Sequence, residues 1–153
     1  MNYFEKMIQF SKIISSFFYV GFFPLASGTF GSLCAILLWW FFVPENLFYQ
    51  LLLILFVIII GTITSGIIES NLKLKDPSFI VIDEVAGMFI SLFLIPKSFL
   101  VYIIGFFLFR FFDILKPSYI NSVQKIPNGI GIMADDILAG LVTCLILNFI
   151  IFL

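Results

Sequence analysis

FIVIDEVAGMFISLFLI, residues 79–95, places an acidic pair, Asp83 and Glu84, inside an otherwise uncharged apolar run. A charge that faces lipid costs at least about 2.5–3.5 kcal/mol, so both carboxylates are expected to face protein, water or a cation. The alternative is that the helix begins later and that the pair is solvated at its N-terminus, where the helix dipole favours acids. That alternative leaves residues 79–82 as exposed apolar surface, which disfavours it.

The rest of the chain has the composition of a membrane protein. Its 153 residues are 62% hydrophobic and 11% charged, with a mean hydropathy of +1.21, whereas soluble domains are roughly 45–50% apolar and 25% charged. The other apolar runs cover residues 17–43, interrupted at 24–32, and residues 47–68, 98–115 and 134–153. Because a bilayer core of roughly 30 Å needs about 20 apolar residues, we predict an all-α, polytopic membrane helix bundle with four to five spanning helices. A single domain covers residues 1–153 and starts with a short irregular segment, and the path of residues 17–30 is left open.

The distribution of charge predicts an orientation. The net charge is −1 and basic residues are not clustered, which argues against a nucleic-acid partner. If the N-terminus is cytoplasmic and five segments cross, Lys97 alone lies outside, while six lysines lie inside, as the positive-inside rule requires: Lys6, Lys12, Lys73, Lys75, Lys116 and Lys125. The same topology brings six charged residues of three helices to the cytoplasmic edge: Asp83, Glu84, Arg110, Asp113, Asp135 and Asp136.

The second charged block is FRFFDILKP, residues 109–117, in which Arg110, Asp113 and Lys116 recur every three residues. They therefore share one helical face. Arg110 and Asp113 form either a self-neutralised pair that lets the helix insert, or part of a site. In the site, the Arg110 guanidinium binds phosphate through two parallel N–H donors and Lys116 binds it as a point charge, while Asp113 ligates a metal.

The third block is NGIGIMADDILAG, residues 128–140, a glycine-containing loop that leads into a helix. We expect Asp135 and Asp136 in the first turn of that helix, where acids serve either as partners of the helix dipole or as metal ligands. Five carboxylates at one membrane edge exceed what capping needs, and carboxylate oxygens suit magnesium.

The fourth block is PLASGTFGSL, residues 24–33, where small residues interrupt the apolar sequence ahead of a helix. Gly28, Thr29, Gly31 and Ser32 are either a plain loop or a set of N–H and O–H donors for an anion.

Absent residues narrow the chemistry. The chain has no histidine, which excludes Ser-His-Asp catalysis and phosphohistidine enzymes. Cys34 and Cys144 lie in apolar runs without a following arginine loop, so a cysteine phosphatase and a disulfide framework are also disfavoured. A metal-dependent phosphatase that uses carboxylates remains. The alternative is a small cation or proton transporter, but it needs a polar path that the outer halves of the later helices do not offer.

The four blocks together resemble the phosphatidylglycerophosphatase A family of bacterial membrane enzymes. The resemblance covers residues 21–140 and rests on SGTFGSL, IVIDEVAGM, FRFFDILKP and NGIGIMADDILAG in this order. It implies magnesium-dependent removal of the terminal phosphate from phosphatidylglycerophosphate, a phospholipid, at the cytoplasmic face of the inner (plasma) membrane. It says nothing about the oligomeric state.

The resemblance also implies roles for particular residues. The family's glycine-rich block falls on Gly28, Thr29, Gly31 and Ser32, which with Arg110 and Lys116 form the expected phosphate-binding set. Ser27 stands where the family usually has proline. The expected metal ligands are Asp83, Glu84, Asp113, Asp135 and Asp136. From the chemistry of the residues we rank Asp83, Glu84 and Asp136 first among these ligands. The expected catalytic residues are these three acids and Arg110.

Overall fold

The computed structural model describes residues 2–115 and 126–152. This part of the chain contains helices and no strand, which confirms the all-α prediction. The predicted roles of Lys116, Pro117 and Lys125 lie outside the described residues. The helices are α1 (Tyr3–Ser15), α2 (Ser27–Phe42), α3 (Leu47–Leu72), α4 (Ile82–Ser91), α5 (Phe99–Leu115) and α6 (Ile130–Phe152), with a 3₁₀ turn at Val20–Phe22.

Two helices, α3 and α6, are long and apolar enough to cross a membrane. Helices α2 and α5 have 16 and 17 residues, or about 24–26 Å at 1.5 Å per residue. Leu37, Phe56, Phe107 and Leu145 are among the many large apolar side chains that the bundle leaves exposed. Such a surface suits hydrocarbon better than water. The number of crossings, four to five, stays a prediction.

Helix α4 is shorter than the spanning helix predicted over residues 79–95. It has 10 residues, about 15 Å, or half of the bilayer core. Every side chain of α4 except that of Glu84 is buried, because α2, α3, α5 and α6 surround the helix. The irregular residues just before it, 80–81, are covered by protein; the Val81 N–H, for example, donates to the Ser15 carbonyl oxygen at 2.9 Å. Irregular backbone at membrane depth is tolerated only with such cover.

The segment before α2 folds over the entrance to α4. Phe17, Phe18 and Tyr19 have positive φ angles, and Gly21 lies so close to the Phe79 carbonyl that a Cβ there would overlap its oxygen. Residues 80–82 are therefore buried, not exposed as the alternative reading of the acidic pair required. The expectation that the glycine-rich block precedes the helix is wrong, since α2 already begins at Ser27.

The helices alternate in direction, so the chain has two distinct ends. At one end the Gly129 N–H donates to Glu69 Oε2 at 2.8 Å, joining the end of α3 to the start of α6. At the other end Lys97 Nζ donates to the Trp40 carbonyl oxygen at 2.8 Å. The first of these ends also holds the start of α2, the start of α4 and the end of α5, and we name it the acidic end after Asp83, Glu84, Asp113, Asp135 and Asp136.

Candidate active site

Three carboxylates from two helices meet at the acidic end. Asp83 and Glu84 lie in the first turn of α4 and Asp136 lies in α6. One carboxylate oxygen from each lies within 4.8 Å of the other two. Asp83 and Asp136 are 7% and 2% exposed, so neither is a solvated helix cap. We call these residues the acid triad.

Close packing of α4 on α6 holds the triad together. A Cβ added at Gly140 would overlap the Gly87 carbonyl oxygen, and one added at Gly87 would lie 2.6 Å from the Asp136 carbonyl oxygen. Gly87 is one helical turn beyond Asp83, so the point where the two backbones touch also sets Asp83 opposite Asp136. Gly87 and Gly140 were not among the predicted site residues, although glycine inside an apolar helical run is a known sign of close helix contact.

The triad has unsatisfied hydrogen-bonding capacity. Asp83 Oδ1, Glu84 Oε2 and Asp136 Oδ2 are buried and have no hydrogen-bond partner among the described residues. A buried carboxylate without a partner is costly, and two charges 4.8 Å apart repel by about 3.5 kcal/mol at an effective dielectric constant of about 20. A cation relieves both costs. Since all the donors are oxygens, the residues fit a hard divalent ion such as magnesium.

Arg110 on α5 lies beside the triad. Its Nη1 is 3.8 Å from Glu84 Oε1, and it also forms an ion pair with Asp113 one turn later. Asp113 in turn interacts electrostatically with Glu84 and Asp136. The structure contains the self-neutralised pair of Arg110 and Asp113, and the phosphate-binding and metal-binding roles stay predictions. Arg110 Nε is buried without a hydrogen-bond partner among the described residues, so this side chain keeps donor capacity.

Asp135 lies next to the triad but outside it. It is buried, and its Oδ1 accepts the Asp136 N–H at 3.1 Å. The expectation that Asp135 and Asp136 occupy the first turn of a helix is wrong, because α6 begins at Ile130 and the two acids lie in its second turn.

The glycine-rich block lies against the triad as part of α2. A Cβ at Gly28 would overlap Glu84 Oε1 and lie 3.0 Å from Arg110 Nη1, and one at Gly31 would lie 3.0 Å from Val81 Cβ. The two glycines therefore let α2 approach α4 and α5 closely. The Ser32 hydroxyl is buried and donates to the Gly28 carbonyl oxygen at 2.8 Å, so its proton is used inside α2.

Comparisons with known proteins show which family the chain resembles. The family model described as Phosphatidylglycerophosphatase A matches residues 13–151. Phosphatidylglycerophosphatase A of Escherichia coli K12 is 36% identical over 134 residues, which cover 85% of this chain and 77% of that protein. The enzyme of the same name from Haemophilus influenzae is 46% identical over 74 residues, covering 47% of this chain and 45% of that one.

A further relative has a different name. A Bacteroides thetaiotaomicron protein provisionally named phosphatidylinositol-3-phosphatase is 35% identical over 136 residues, which cover 84% of this chain and 85% of that protein. No solved structure matches the chain significantly.

Proposed function

The chain belongs to the phosphatidylglycerophosphatase A family and is an enzyme of that family, and we propose that it removes the terminal phosphate of phosphatidylglycerophosphate with the help of magnesium. The product is phosphatidylglycerol. The single observation that carries the proposal is the acid triad beside Arg110, in which one oxygen of each carboxylate lies within 4.8 Å of the other two.

Asp83, Glu84 and Asp136 are the residues that would hold magnesium. The ion supplies a Lewis acid that neutralises charge on the phosphoryl group and makes a water easier to deprotonate. Asp113 holds Arg110 in place through their ion pair, and the Arg110 guanidinium donates hydrogen bonds to the phosphate oxygens. A carboxylate of the acidic end takes a proton from the attacking water. At the same time the water oxygen bonds to phosphorus and the ester bond to the lipid oxygen breaks. The lipid alkoxide then takes that proton from the carboxylic acid, which regenerates the carboxylate and leaves phosphatidylglycerol and inorganic phosphate.

We place the acidic end at the cytoplasmic face of a bacterial inner membrane. Lys73 and Lys75 follow α3 at that end, and Lys12 contacts the rings of Phe22 and Phe79 beside the entrance to α4. Lys97 lies at the opposite end. This bias supports an inward orientation, with several helices crossing the bilayer. A lipid substrate would keep its acyl chains in the leaflet and present only its head group.

The buried hydroxyls of Ser91 on α4 and Thr143 on α6, which lie beyond the triad, give the transporter alternative no support. A conduit needs polar groups free to bind the passing ion. The hydroxyls of Ser91 and Thr143 donate to carbonyl oxygens of their own helices, at 2.9 Å each.

The test is phosphate release by detergent-solubilised protein. We expect release from phosphatidylglycerophosphate with magnesium and none with a chelator. Asp83→Asn is expected to lose activity by orders of magnitude, because one of the three oxygen ligands becomes an amide. Glu45→Gln makes the same chemical change at an exposed position of the other end and should be as active as the wild type.

Phosphatidylinositol 3-phosphate belongs in the same assay, because a relative carries that name. Faster release from it than from phosphatidylglycerophosphate would overturn the proposed substrate. Full activity in the chelator would overturn the proposed metal dependence.

A further inference from the structure

An apolar cleft of about 560 Å³ runs between α2 and α5. Leu33, Leu37 and Phe41 line it on α2, and Ile103 and Phe107 are among its residues on α5. Leu37, Phe41 and Phe107 are exposed, so the cleft opens on the outer surface of the bundle. Its inner side includes Trp40 and Tyr102, whose rings pack edge to face at 5.4 Å between centroids. Within residues 2–115 and 126–152, no charged side chain lines it.

The cleft starts next to the acid triad. Phe107 is three residues from Arg110, or about 4.5 Å along α5, and Leu33 follows Ser32, one turn after Gly28. From Phe107 to Phe99, and likewise from Leu33 to Phe41, the cleft extends for roughly 12 Å. It therefore reaches about 17 Å from Arg110, comparable to the roughly 15 Å of hydrocarbon in one leaflet.

We propose that this cleft holds one acyl chain of the lipid whose head group lies at the acid triad. The inference rests on the proposed function, because only a lipid substrate brings an acyl chain to this place. The position and length favour an acyl chain, because the cleft is apolar, opens on the outer surface and continues from Arg110 over about the depth of one leaflet.

The cleft contributes orientation more than affinity. A chain that moves from lipid into the cleft leaves one apolar environment for another, so it gains little hydrophobic free energy. It does gain contacts with ordered aromatic rings. These contacts fix the direction from which the phosphate ester enters the site, and small errors in position cost large factors in rate.

The test fills the cleft and compares substrates of different chain length. Leu37→Trp narrows the middle of the cleft from α2, and Ile103→Trp narrows it from α5. The control is Leu52→Trp on α3, which lies outside the cleft; Leu37 and Leu52 are 57% and 50% exposed. The measured quantity is the ratio of kcat/KM for dioleoyl to dihexanoyl phosphatidylglycerophosphate in mixed micelles.

We expect each cleft variant to lower that ratio at least about tenfold, because only the long chain needs the blocked path, while Leu52→Trp leaves it unchanged. If the wild type releases phosphate and the ratio of kcat/KM is the same in the wild type and all variants, the cleft assignment is overturned and the proposed function is not. A wild type that releases phosphate from neither lipid would overturn the proposed function and this inference with it. The mass of the protein–detergent particle is measured as well. If the wild type is a dimer and a cleft variant is a monomer, a second copy of the chain occupies the cleft, and the inference is refuted.

Discussion

Neutralising Asp136 should change the thermal stability of the protein in opposite directions with and without magnesium. Without a divalent ion, Asp136→Asn removes up to two repulsions within the triad, each worth about 3.5 kcal/mol or more at an effective dielectric constant of about 20, because the oxygens lie no more than 4.8 Å apart. The variant should then unfold at a higher temperature than the wild type. With magnesium at about 100 times its dissociation constant, the wild type gains about 2.7 kcal/mol. That gain raises its unfolding midpoint by roughly 5–10 °C, and the variant, which lacks one of three ligands, should show little of it.

The measurement is thermal unfolding in detergent, followed by tryptophan fluorescence. Trp39 is fully buried and its ring lies 5.0 Å from that of Phe89 on α4, so it reports on the packing around the helix that carries Asp83 and Glu84. Glu45→Gln serves as the control and should respond to magnesium as the wild type does. If magnesium and chelator give the wild type the same midpoint, or if Asp136→Asn gains as much from magnesium as the wild type, the three acids do not share an ion.

Two further variants test the neighbours of the triad. Arg110→Lys should lower kcat/KM for phosphatidylglycerophosphate roughly 10- to 150-fold, which is the rate loss expected when one hydrogen bond to a charged group is removed. Arg110→Ala should lower kcat/KM only slightly more. Normal kinetics in the lysine variant would mean that a point charge is sufficient. Gly28→Ala should lower kcat while the protein still inserts, because its Cβ would displace Glu84 Oε1 and crowd Arg110 Nη1. Ser27→Ala, which loses only an exposed hydrogen bond to the Ser78 carbonyl oxygen, is the matched control, and equal kcat in both variants would contradict the reasoning.

The convergence of the acids was predictable from the sequence because charged residues in so apolar a chain have few places to lie. Asp83, Glu84 and Asp136, which we ranked first as ligands from chemistry alone, are the three whose oxygens come within 4.8 Å. The ranking of Asp136 above Asp135 had no geometric basis in the sequence, since adjacent residues of a helix point in different directions and the outcome depends on where the helix begins. Asn128 and Gly129 both have positive φ angles, so the turn ends there and α6 starts at Ile130.

The length of α4 was not predictable from hydropathy. A run of apolar residues looks the same whether the helix faces lipid or is enclosed by other helices, because both environments exclude water. The sequence also offered no sign that Gly28 and Gly31 belong to α2, since small residues before an apolar run are equally typical of a loop. Their close approach to Glu84 and Val81 appears only when α2 packs on α4.

Enclosure of α4 also decides how a substrate reaches the triad. Asp83 and Asp136 are almost completely buried, whereas the side chains of Glu84 and Arg110 are 15% and 16% exposed to solvent. The accessible side of the site is therefore the one that Arg110 borders, where the start of α2 meets the end of α5. The apolar cleft opens between the same two helices. Under the proposed function, a lipid whose phosphate enters past Arg110 has one acyl chain along the cleft between α2 and α5, so the phosphate and that chain approach from the same side of the bundle.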